Sequence, residues 1–472
     1  MSTLSCARIG ISSCFSGSQE YISISCLNSV MSTESGEGNL SALPNVVLIT
    51  THDLGQHLGC YGIDTVDTAN IDSFAEQGVR FENAYATSPV CSPARGSLLT
   101  GRYPQSTGLM GLTHAPWWWQ LDNDEILLPE LLQNAGYETH LSGFQHVVSE
   151  ADRLGIDCVH STENDAEETA AAAEEIFEET SEDTPLYAQF GFTEVHREFT
   201  DEPYDENGVH VPGYLQSTEE THTDLARFQA EINYFDNRVG EILDALEASG
   251  HRDDTIVILA ADHGVPYPGA KWSCRLPGLE IALVMDGPGA AFEDRETVTS
   301  VASNVDVVPT LLDVLGLPIP DHVEGVNFRD HLENGAEPPR EMAFAQFTEH
   351  MKRDNESRAI VTENWELIRY FDQGRTIDYP VEIHPQRFAD HVERMPTAWE
   401  PRPFAQLFDV KRDPDGLEDV GMDGEHDELV ADLSRQLLQW MVAVDDPLLQ
   451  GRVRLPYYER AIDDFFTTST RI

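Results

Sequence analysis

The stretch Cys91–Arg102, with the sequence CSPARGSLLTGR, is the part of the chain around which the other polar motifs are arranged. Its cysteine is followed by proline after two residues and by Arg95 after four. A thiol at a turn that enters a helix lies in the field of the helix N-terminus, which favours negative charge. Arg95 adds a fixed cation about one turn further on. A buried structural cysteine is the usual alternative, but this longer context predicts an anionic nucleophile at Cys91 and an anionic substrate beside it.

The charge balance of the chain is extremely acidic. Its 472 residues include 29 Lys and Arg against 83 Asp and Glu, a formal net charge of −54. Such a field repels nucleic acids and anionic membrane surfaces, so neither is an expected partner. Because the acidic residues are spread along the chain, we expect a protein that works in high salt, as in a haloarchaeon-like acidic proteome. Recurring apolar segments argue against a disordered acidic chain.

Cysteine usage and the N-terminal sequence give expectations about redox state and location. The seven cysteines show no CxxC spacing, so neither a disulfide framework nor a cysteine zinc site is predicted. The sequence contains no apolar run of about 18 residues, the length that a membrane span needs. A basic region followed by a continuous apolar core is not evident at the N-terminus, so we expect a cytoplasmic protein.

Apolar strands and helices alternate over most of the chain. This alternation predicts an α/β fold, with a large, mostly parallel sheet sandwiched by helices. Beyond about residue 340 the pattern changes to short strands of a small antiparallel sheet and a final helix. We predict a disordered leader over 1–43 with Met31 as an alternative start, a catalytic α/β domain over 44–340, a C-terminal α+β subdomain over 341–447 and a tail over 448–472.

Polar side chains follow several predicted strands where each strand ends. They are His52 with Asp53, His146, His196, and Asp262 with His263. The carboxyl ends of parallel strands share one edge, where open α/β sheets bind ligands. Carboxylate oxygens suit a hard cation such as Ca²⁺ or Mg²⁺, whereas imidazoles shift the preference toward Mn²⁺ or Zn²⁺.

Together, these motifs resemble the type I sulfatase family of the alkaline-phosphatase-like superfamily, over roughly residues 44–420. In that family the signature cysteine is oxidised to formylglycine, whose hydrate attacks sulfur while a histidine acts as general acid. The segment Asp262–Pro268, with Lys271 following, resembles the heparan N-sulfatase (sulfamidase) branch. The resemblance implies catalytic roles for Cys91, Arg95, His146, His196 and Lys271, and metal ligands at Asp53, Asp262, His263, His52 and Cys91. Arg95, Lys271 and the metal would neutralise the developing charge.

Two positions depart from the family pattern. His52 stands where the family has a metal-binding aspartate, and Phe144 stands where it has a lysine that contacts sulfate. The resemblance implies one divalent metal ion, with Ca²⁺ expected and Mg²⁺, Mn²⁺ or Zn²⁺ left open by His52.

The expected function is that of a metal-dependent sulfatase, a sulfuric ester hydrolase acting on a sulfate ester or N-sulfate of a small molecule or saccharide. One alternative is a phosphate or phosphonate monoester or diester hydrolase on the same scaffold, and another is a binding protein that has lost turnover. His57 and His114 are expected behind the site or at the surface. The run Trp117–Trp119 is expected either to stack on a sugar or to pack in the core.

Overall fold

The computed structural model describes residues 43–162, 164–181, 183–200, 202–293, 297–350, 353–372, 401–422 and 424–469. All of them belong to one unit, Ala42–Ile472. The predicted leader, apart from residue 43, lies outside the described residues. The other predicted domain boundaries stay predictions.

The larger sheet has eight strands among the described residues, in the order β4-β3-β5-β1-β6-β7-β2-β8. These strands are β1 (Asn45–Thr51), β2 (Val79–Tyr85), β3 (Glu138–Gly143), β4 (Cys158–Ser161), β5 (Leu186–Gly191), β6 (Thr255–Ala261), β7 (Leu283–Asp286) and β8 (Thr297–Ser303). Neighbouring strands run parallel except at β7, which is antiparallel to both β6 and β2.

The central strands β1 and β6 are buried along their whole length. Both read as nearly continuous apolar runs, which is typical of strands covered on both faces by helices. Each fully buried valine, leucine or isoleucine in them contributes roughly 1.5–3 kcal/mol through the hydrophobic effect. These two strands therefore fix the middle of the fold and the position of whatever follows them.

Helices lie between and after the strands along the described part of the chain. They are α1 (Ala69–Gln77), α2 (Cys91–Thr100), α3 (Pro104–Thr107), α4 (Leu128–Asn134), α5 (Ala166–Glu178), α6 (Glu219–Ser249), α7 (Leu276–Leu279), α8 (Ala290–Glu293), α9 (Val307–Val314), α10 (Arg329–Asn334), α11 (Asp427–Ala443) and α12 (Pro456–Ser469). The longest, α6, begins after Thr218, whose side chain accepts from the Thr221 amide, and ends at Gly250 with φ 80°. Both are standard signals for the ends of a helix.

A second sheet of four antiparallel strands is present in the described part of the C-terminal region. Its order is β12-β11-β10-β9, from β9 (Met342–His350), β10 (Arg353–Thr362), β11 (Trp365–Tyr370) and β12 (Ala405–Asp409). Helix α11 packs Leu433, Leu437 and Trp440 into the core cluster that also contains Ile360 and Leu367. The predicted α/β class, with a mostly parallel sheet and a smaller antiparallel one, is confirmed.

The first and second sheets are joined close to the nucleophile stretch. The amide of Gln346 on β9 donates to the carbonyl of Thr87, 2.8 Å away, four residues before α2 begins. This bond brings the end of β9, and with it His350, toward the carboxyl edge of the large sheet. None of the helices in the described ranges is both long enough and apolar enough to cross a membrane.

Candidate active site

Strands β1 and β6 deliver two acidic residues side by side. The strands are parallel neighbours whose last residues, Thr51 and Ala261, are register partners. The next residues are therefore adjacent, and the amide of Asp53 donates to Asp262 Oδ1 at 3.0 Å. Both carboxylates have fully buried side chains. Asp53 has φ 54°, which is uncommon for a residue other than glycine and turns the chain sharply into the site.

Cys91 is the first residue of α2, as the sequence predicts. Its Sγ lies 3.3 Å from Nε2 of His263, and both residues are buried. The other ring nitrogen of His263, Nδ1, lies 2.9 Å from the Gly264 carbonyl, so it carries the proton and donates. Nε2 therefore presents its lone pair to Cys91 and to Asp53 Oδ1, which is 3.2 Å away.

Two buried cations hold the paired carboxylates. Arg95 donates from Nε to Asp262 Oδ2 at 3.1 Å and from its terminal nitrogens to Thr50 Oγ1 and the Thr51 carbonyl. Lys271 Nζ lies 2.7 Å from Asp53 Oδ2, with both side chains fully buried. Burial alone would raise the pKa of Asp262, but His263 and Arg95 hold that pKa below its ordinary value. A cavity lies beside Cys91, and neither Arg95 nor Lys271 is among the described residues that line it.

The rings of His52 and His196 stack on each other beside the paired carboxylates of Asp53 and Asp262. Their ring centroids are 4.7 Å apart, and His52 Nε2 lies 3.2 Å from Asp262 Oδ2. Burial, followed by the charges of His196 and Arg95, lowers the pKa of His52 well below its ordinary value. His52 is therefore a neutral imidazole, the form that binds metal ions. His196 Nδ1 lies 2.5 Å from the Arg197 carbonyl, and its Nε2 lies 3.9 Å from Asp53 Oδ2.

A second histidine pair lies beyond β3. His146 follows this strand after Phe144 and Gln145, and its Nε2 lies 2.8 Å from Nδ1 of His114. Burial, together with the neighbouring imidazole, lowers the pKa of His146 well below its ordinary value, and burial also lowers that of His114. His114 lines the cavity directly and was expected only behind the site or at the surface. It belongs to a loop with no strand-end pattern, so the sequence carries no signal for it.

These groups open into a cavity of about 610 Å³ that reaches Cys91. Its described lining includes three glutamates, Glu194, Glu198 and Glu231; Glu194 is one of the ligand-type residues that follow β5, whereas the sequence carries no signal for the other two. Burial raises the pKa of Glu194 and of Glu231. Arg197 also lines the cavity, but it donates to both carboxylate oxygens of Asp224 on α6, at 2.9 and 2.5 Å.

Aromatic rings form another part of the cavity wall. Trp117 lines it and stacks on His350, the last residue of β9, with ring centroids 6.1 Å apart. Phe144 lines it too and lies under the Arg95 guanidinium at 5.2 Å. The other two tryptophans of the run point elsewhere: Trp118 stacks on Tyr457, and buried Trp119 donates to Glu349. His57, also away from this cavity, packs against Phe228.

The residues at the centre of the site fit a divalent metal ion. His52, Asp53, Cys91 and His263 each offer one ligand atom, and these atoms lie within 4.8 Å of one another. Asp53 Oδ1 and both ring nitrogens of His52 are buried without a hydrogen-bond partner. Buried polar atoms normally have partners, so the unsatisfied oxygen of Asp53 and one unsatisfied ring nitrogen of His52 fit a cation bound between these side chains.

The sulfatase family model matches residues 44–317, and a model described as N-sulphoglucosamine sulphohydrolase, C-terminal, matches residues 275–395. The first match alone covers more than half of the chain. The chain belongs to the sulfatase family, and it is a sulfuric ester hydrolase.

Individual relatives extend this similarity over most of the chain. Human N-sulphoglucosamine sulphohydrolase is 26% identical over 461 residues, covering 85% of this chain and 91% of the relative. An ulvan-active sulfatase of Formosa agariphila is 24% identical, covering 87% and 76%. A protein solved in complex with its substrate D-glucosamine-2-N,6-O-disulfate shares the fold, with a TM-score of 0.66 at 18% identity, covering 86% of this chain and 98% of that one. A 2-O GAG sulfatase has a TM-score of 0.67 at 18% identity, covering 88% and 94%.

Proposed function

We propose that this sulfatase removes the sulfo group of an N-sulfated amino sugar, with the residue at position 91 as the nucleophile. The observation that carries the proposal is the position of Cys91, at the start of a buried helix and 3.3 Å from His263 Nε2, between two carboxylates and the cavity. The extended similarity to N-sulphoglucosamine sulphohydrolase supports the choice of an N-sulfate.

The nucleophile in this proposal is Cys91 after oxidation to formylglycine. The hydrated aldehyde supplies one hydroxyl for attack on sulfur and a second through which sulfate is released. His263 Nε2 faces position 91, so a cation held by this nitrogen would lie beside the hydroxyl there and favour its ionisation. The N-terminus of α2 favours negative charge at the same atom.

We assign the role of general acid to His196. Its Nδ1–H donates to the Arg197 carbonyl, which directs Nε2 toward the cavity and Asp53. As an imidazolium, this ring would hold on Nε2 the proton that the leaving amine or alcohol takes. His146, neutral and hydrogen-bonded to His114, is assigned to substrate positioning. Arg95 and Lys271 act by fixing Asp262 and Asp53, the groups that they contact.

The metal ion would be held by Asp53, Asp262, His52 and His263, together with the modified side chain at position 91. A divalent cation held there would supply positive charge to polarise a sulfate oxygen and to favour ionisation of the attacking hydroxyl. Two imidazoles in the set favour a borderline ion, so we propose Mn²⁺ or Zn²⁺ in place of the Ca²⁺ that the family resemblance implies.

This choice of metal can be tested by exchange. After removal with a chelator, Mn²⁺ or Zn²⁺ is expected to restore roughly tenfold more activity than Ca²⁺, because neutral His52 is a nitrogen ligand. The variant His52→Asp is expected to narrow or reverse this ratio, since it replaces nitrogen by carboxylate oxygen. Full recovery with Ca²⁺ and none with Mn²⁺ or Zn²⁺ in the unchanged protein would refute the proposed ion.

Substrate class can be tested with matched pairs of compounds. N-sulfoglucosamine is expected to show at least roughly tenfold higher kcat/KM than glucosamine 6-sulfate, because a site arranged for one leaving group discriminates against another. An aryl sulfate should also be hydrolysed faster than the matching aryl phosphate. A preference for the 6-sulfate would overturn the N-sulfate assignment, and a preference for the aryl phosphate would favour the phosphohydrolase alternative.

A further inference from the structure

A second group of metal-ligand side chains lies on the outermost two strands of the large sheet. Side chains alternate between the faces of a strand, so Glu138 and His140 share one face of β3, and Cys158 and His160 share one face of β4. His140 and Cys158 are register partners between these parallel strands. All four side chains therefore lie on the same face of the sheet, in the pattern Glu-x-His beside Cys-x-His.

The distances within this group are those of ligands around one ion. One ligand atom each from Glu138, His140 and Cys158 lies within 4.8 Å of the others. His140 Nε2 is 3.7 Å from Glu138 Oε1, which is too long for a hydrogen bond. It is close to the separation of about 3.4 Å expected for two ligands, each about 2.1 Å from a tetrahedral zinc ion.

His160 completes the arrangement by orienting His140. Its Nε2 lies 2.9 Å from His140 Nδ1, and the two rings are stacked with centroids 5.2 Å apart. If His140 donates through Nδ1, its Nε2 carries the lone pair and faces Glu138. A hydrogen bond to the other ring nitrogen is the usual way in which a metal-binding histidine is held in the correct tautomer.

Burial and charge also suit a cation. His140 is only 5% exposed, whereas Cys158 and His160 are half-buried and Glu138 is exposed, so an ion could enter from the solvent side. Burial lowers the pKa of His140, which favours the neutral imidazole that a metal requires. The negative charges of Glu138, Asp157 and Glu179 act on the same ring and would stabilise a bound cation.

We propose that Glu138, His140 and Cys158 bind a second transition-metal ion, with His160 as a positioning residue. One thiolate, one imidazole and one carboxylate favour Zn²⁺ over Ca²⁺ or Mg²⁺, and water would complete its coordination. The site lies in the first half of β3, whereas Cys91 and the catalytic carboxylates lie beyond the carboxyl ends of the strands. Its effect is to cross-link the edge strand β4 to β3.

The proposal can be tested by zinc stoichiometry on the full-length protein. After dialysis against a chelator, the unchanged protein titrated with Zn²⁺ is expected to bind one more ion per chain than Cys158→Ser. The matched control is Cys60→Ser, which removes another half-buried thiol and should keep the full stoichiometry. Sulfatase activity of Cys158→Ser should stay unchanged. Equal zinc content in Cys158→Ser and the unchanged protein would overturn the proposal.

A spectroscopic measurement tests the ligand atoms themselves. In a Cys91→Ala background, Co²⁺ should give a near-ultraviolet sulfur-to-cobalt charge-transfer band that disappears in the additional variant Cys158→Ser. His160→Phe should weaken Co²⁺ binding roughly 10- to 100-fold, the usual effect of losing an orienting partner. His160→Asn, whose amide oxygen can still accept, should recover part of that loss. Persistence of the band without Cys158 would show that another thiol is the ligand and refute this site.

Discussion

Replacing Cys91 by serine is expected to lower kcat/KM for the sulfated substrate by at least about a thousandfold, the scale on which enzymes respond to loss of a nucleophile. Serine nearly preserves the volume and the position at the start of α2, so the fold should be unaffected. It cannot, however, be oxidised from a thiol to an aldehyde, and a single hydroxyl cannot both attack sulfur and then expel sulfate. The measurement is steady-state kinetics with N-sulfoglucosamine and with an aryl sulfate.

Two controls separate chemistry from folding in this experiment. The intact mass of the active unchanged protein should be about 18 Da below that of the unmodified sequence, the difference between a cysteine and a formylglycine residue. After digestion, the same loss should be found in the peptide that contains Cys91. Cys60→Ser, which alters a half-buried thiol in the short 3-10 helix Gly59–Tyr61, should keep full activity. Activity of Cys91→Ser within tenfold of the unchanged enzyme, or an unmodified thiol in fully active protein, would contradict the formylglycine assignment.

The site residues that could be predicted from sequence are those that directly follow a strand or begin a helix. β1 and β6 are apolar runs followed at once by polar pairs, and their parallel pairing makes Asp53 and Asp262 neighbours. Cys91 was predicted at a helix start from local sequence alone. In each case the position of the site residue depends only on where a strand ends or a helix begins. The pattern of apolar residues predicts those points.

The rest of the site depends on contacts between loops that are distant in sequence. His114 pairs with His146 and His350 stacks on Trp117; His146 follows a predicted strand, but no pattern marks its partner His114 or the stacking partner His350. The sequence also gives no signal that Arg95 and Lys271 contact the carboxylates of Asp262 and Asp53. A cation near an anionic substrate was the simple expectation, but each of them is buried against a carboxylate. The sequence predicts a strand over 280–285, but its antiparallel direction against β6 and β2 depends on strand pairing, which the apolar pattern does not show.

The second group of metal-ligand side chains, on β3 and β4, could not be predicted from the sequence for a different reason. Glu-x-His and Cys-x-His are short patterns separated by 17 residues, and a search for CxxC spacing passes over them. They meet only because β4 pairs with β3 in a register that aligns Cys158 with His140. Register between strands is a property of tertiary structure, so sequence spacing could not reveal the cluster.

Replacing Asp262 by asparagine is expected to reduce kcat/KM at least about a hundredfold, because this carboxylate links the proposed metal site to the helix that carries the nucleophile. Its Oδ1 accepts from the amides of Asp53 and His263, and an asparagine oxygen could keep those bonds. Its Oδ2 accepts from Arg95 and lies beside His52. In the asparagine variant, the amide NH₂ group would replace Oδ2 and face the N–H groups of Arg95, which also need an acceptor. The buried guanidinium would then lack a negatively charged partner. Removing one partner of such a pair costs about 3 kcal/mol of stability, and metal content should fall.

Loss of stability and loss of catalysis can be distinguished with a matched variant elsewhere in the chain. Asp446 forms a fully buried pair with Arg358, with contacts of 2.5 and 2.9 Å, and neither residue is among the described lining of the cavity. Asp446→Asn should therefore lower the free energy of unfolding by a similar amount while kcat/KM of the folded fraction stays near that of the unchanged enzyme. If Asp262→Asn instead retains metal and activity and differs only in stability, then Asp262 is a structural partner of Arg95, and the cation would have to be held by Asp53 and the two imidazoles alone.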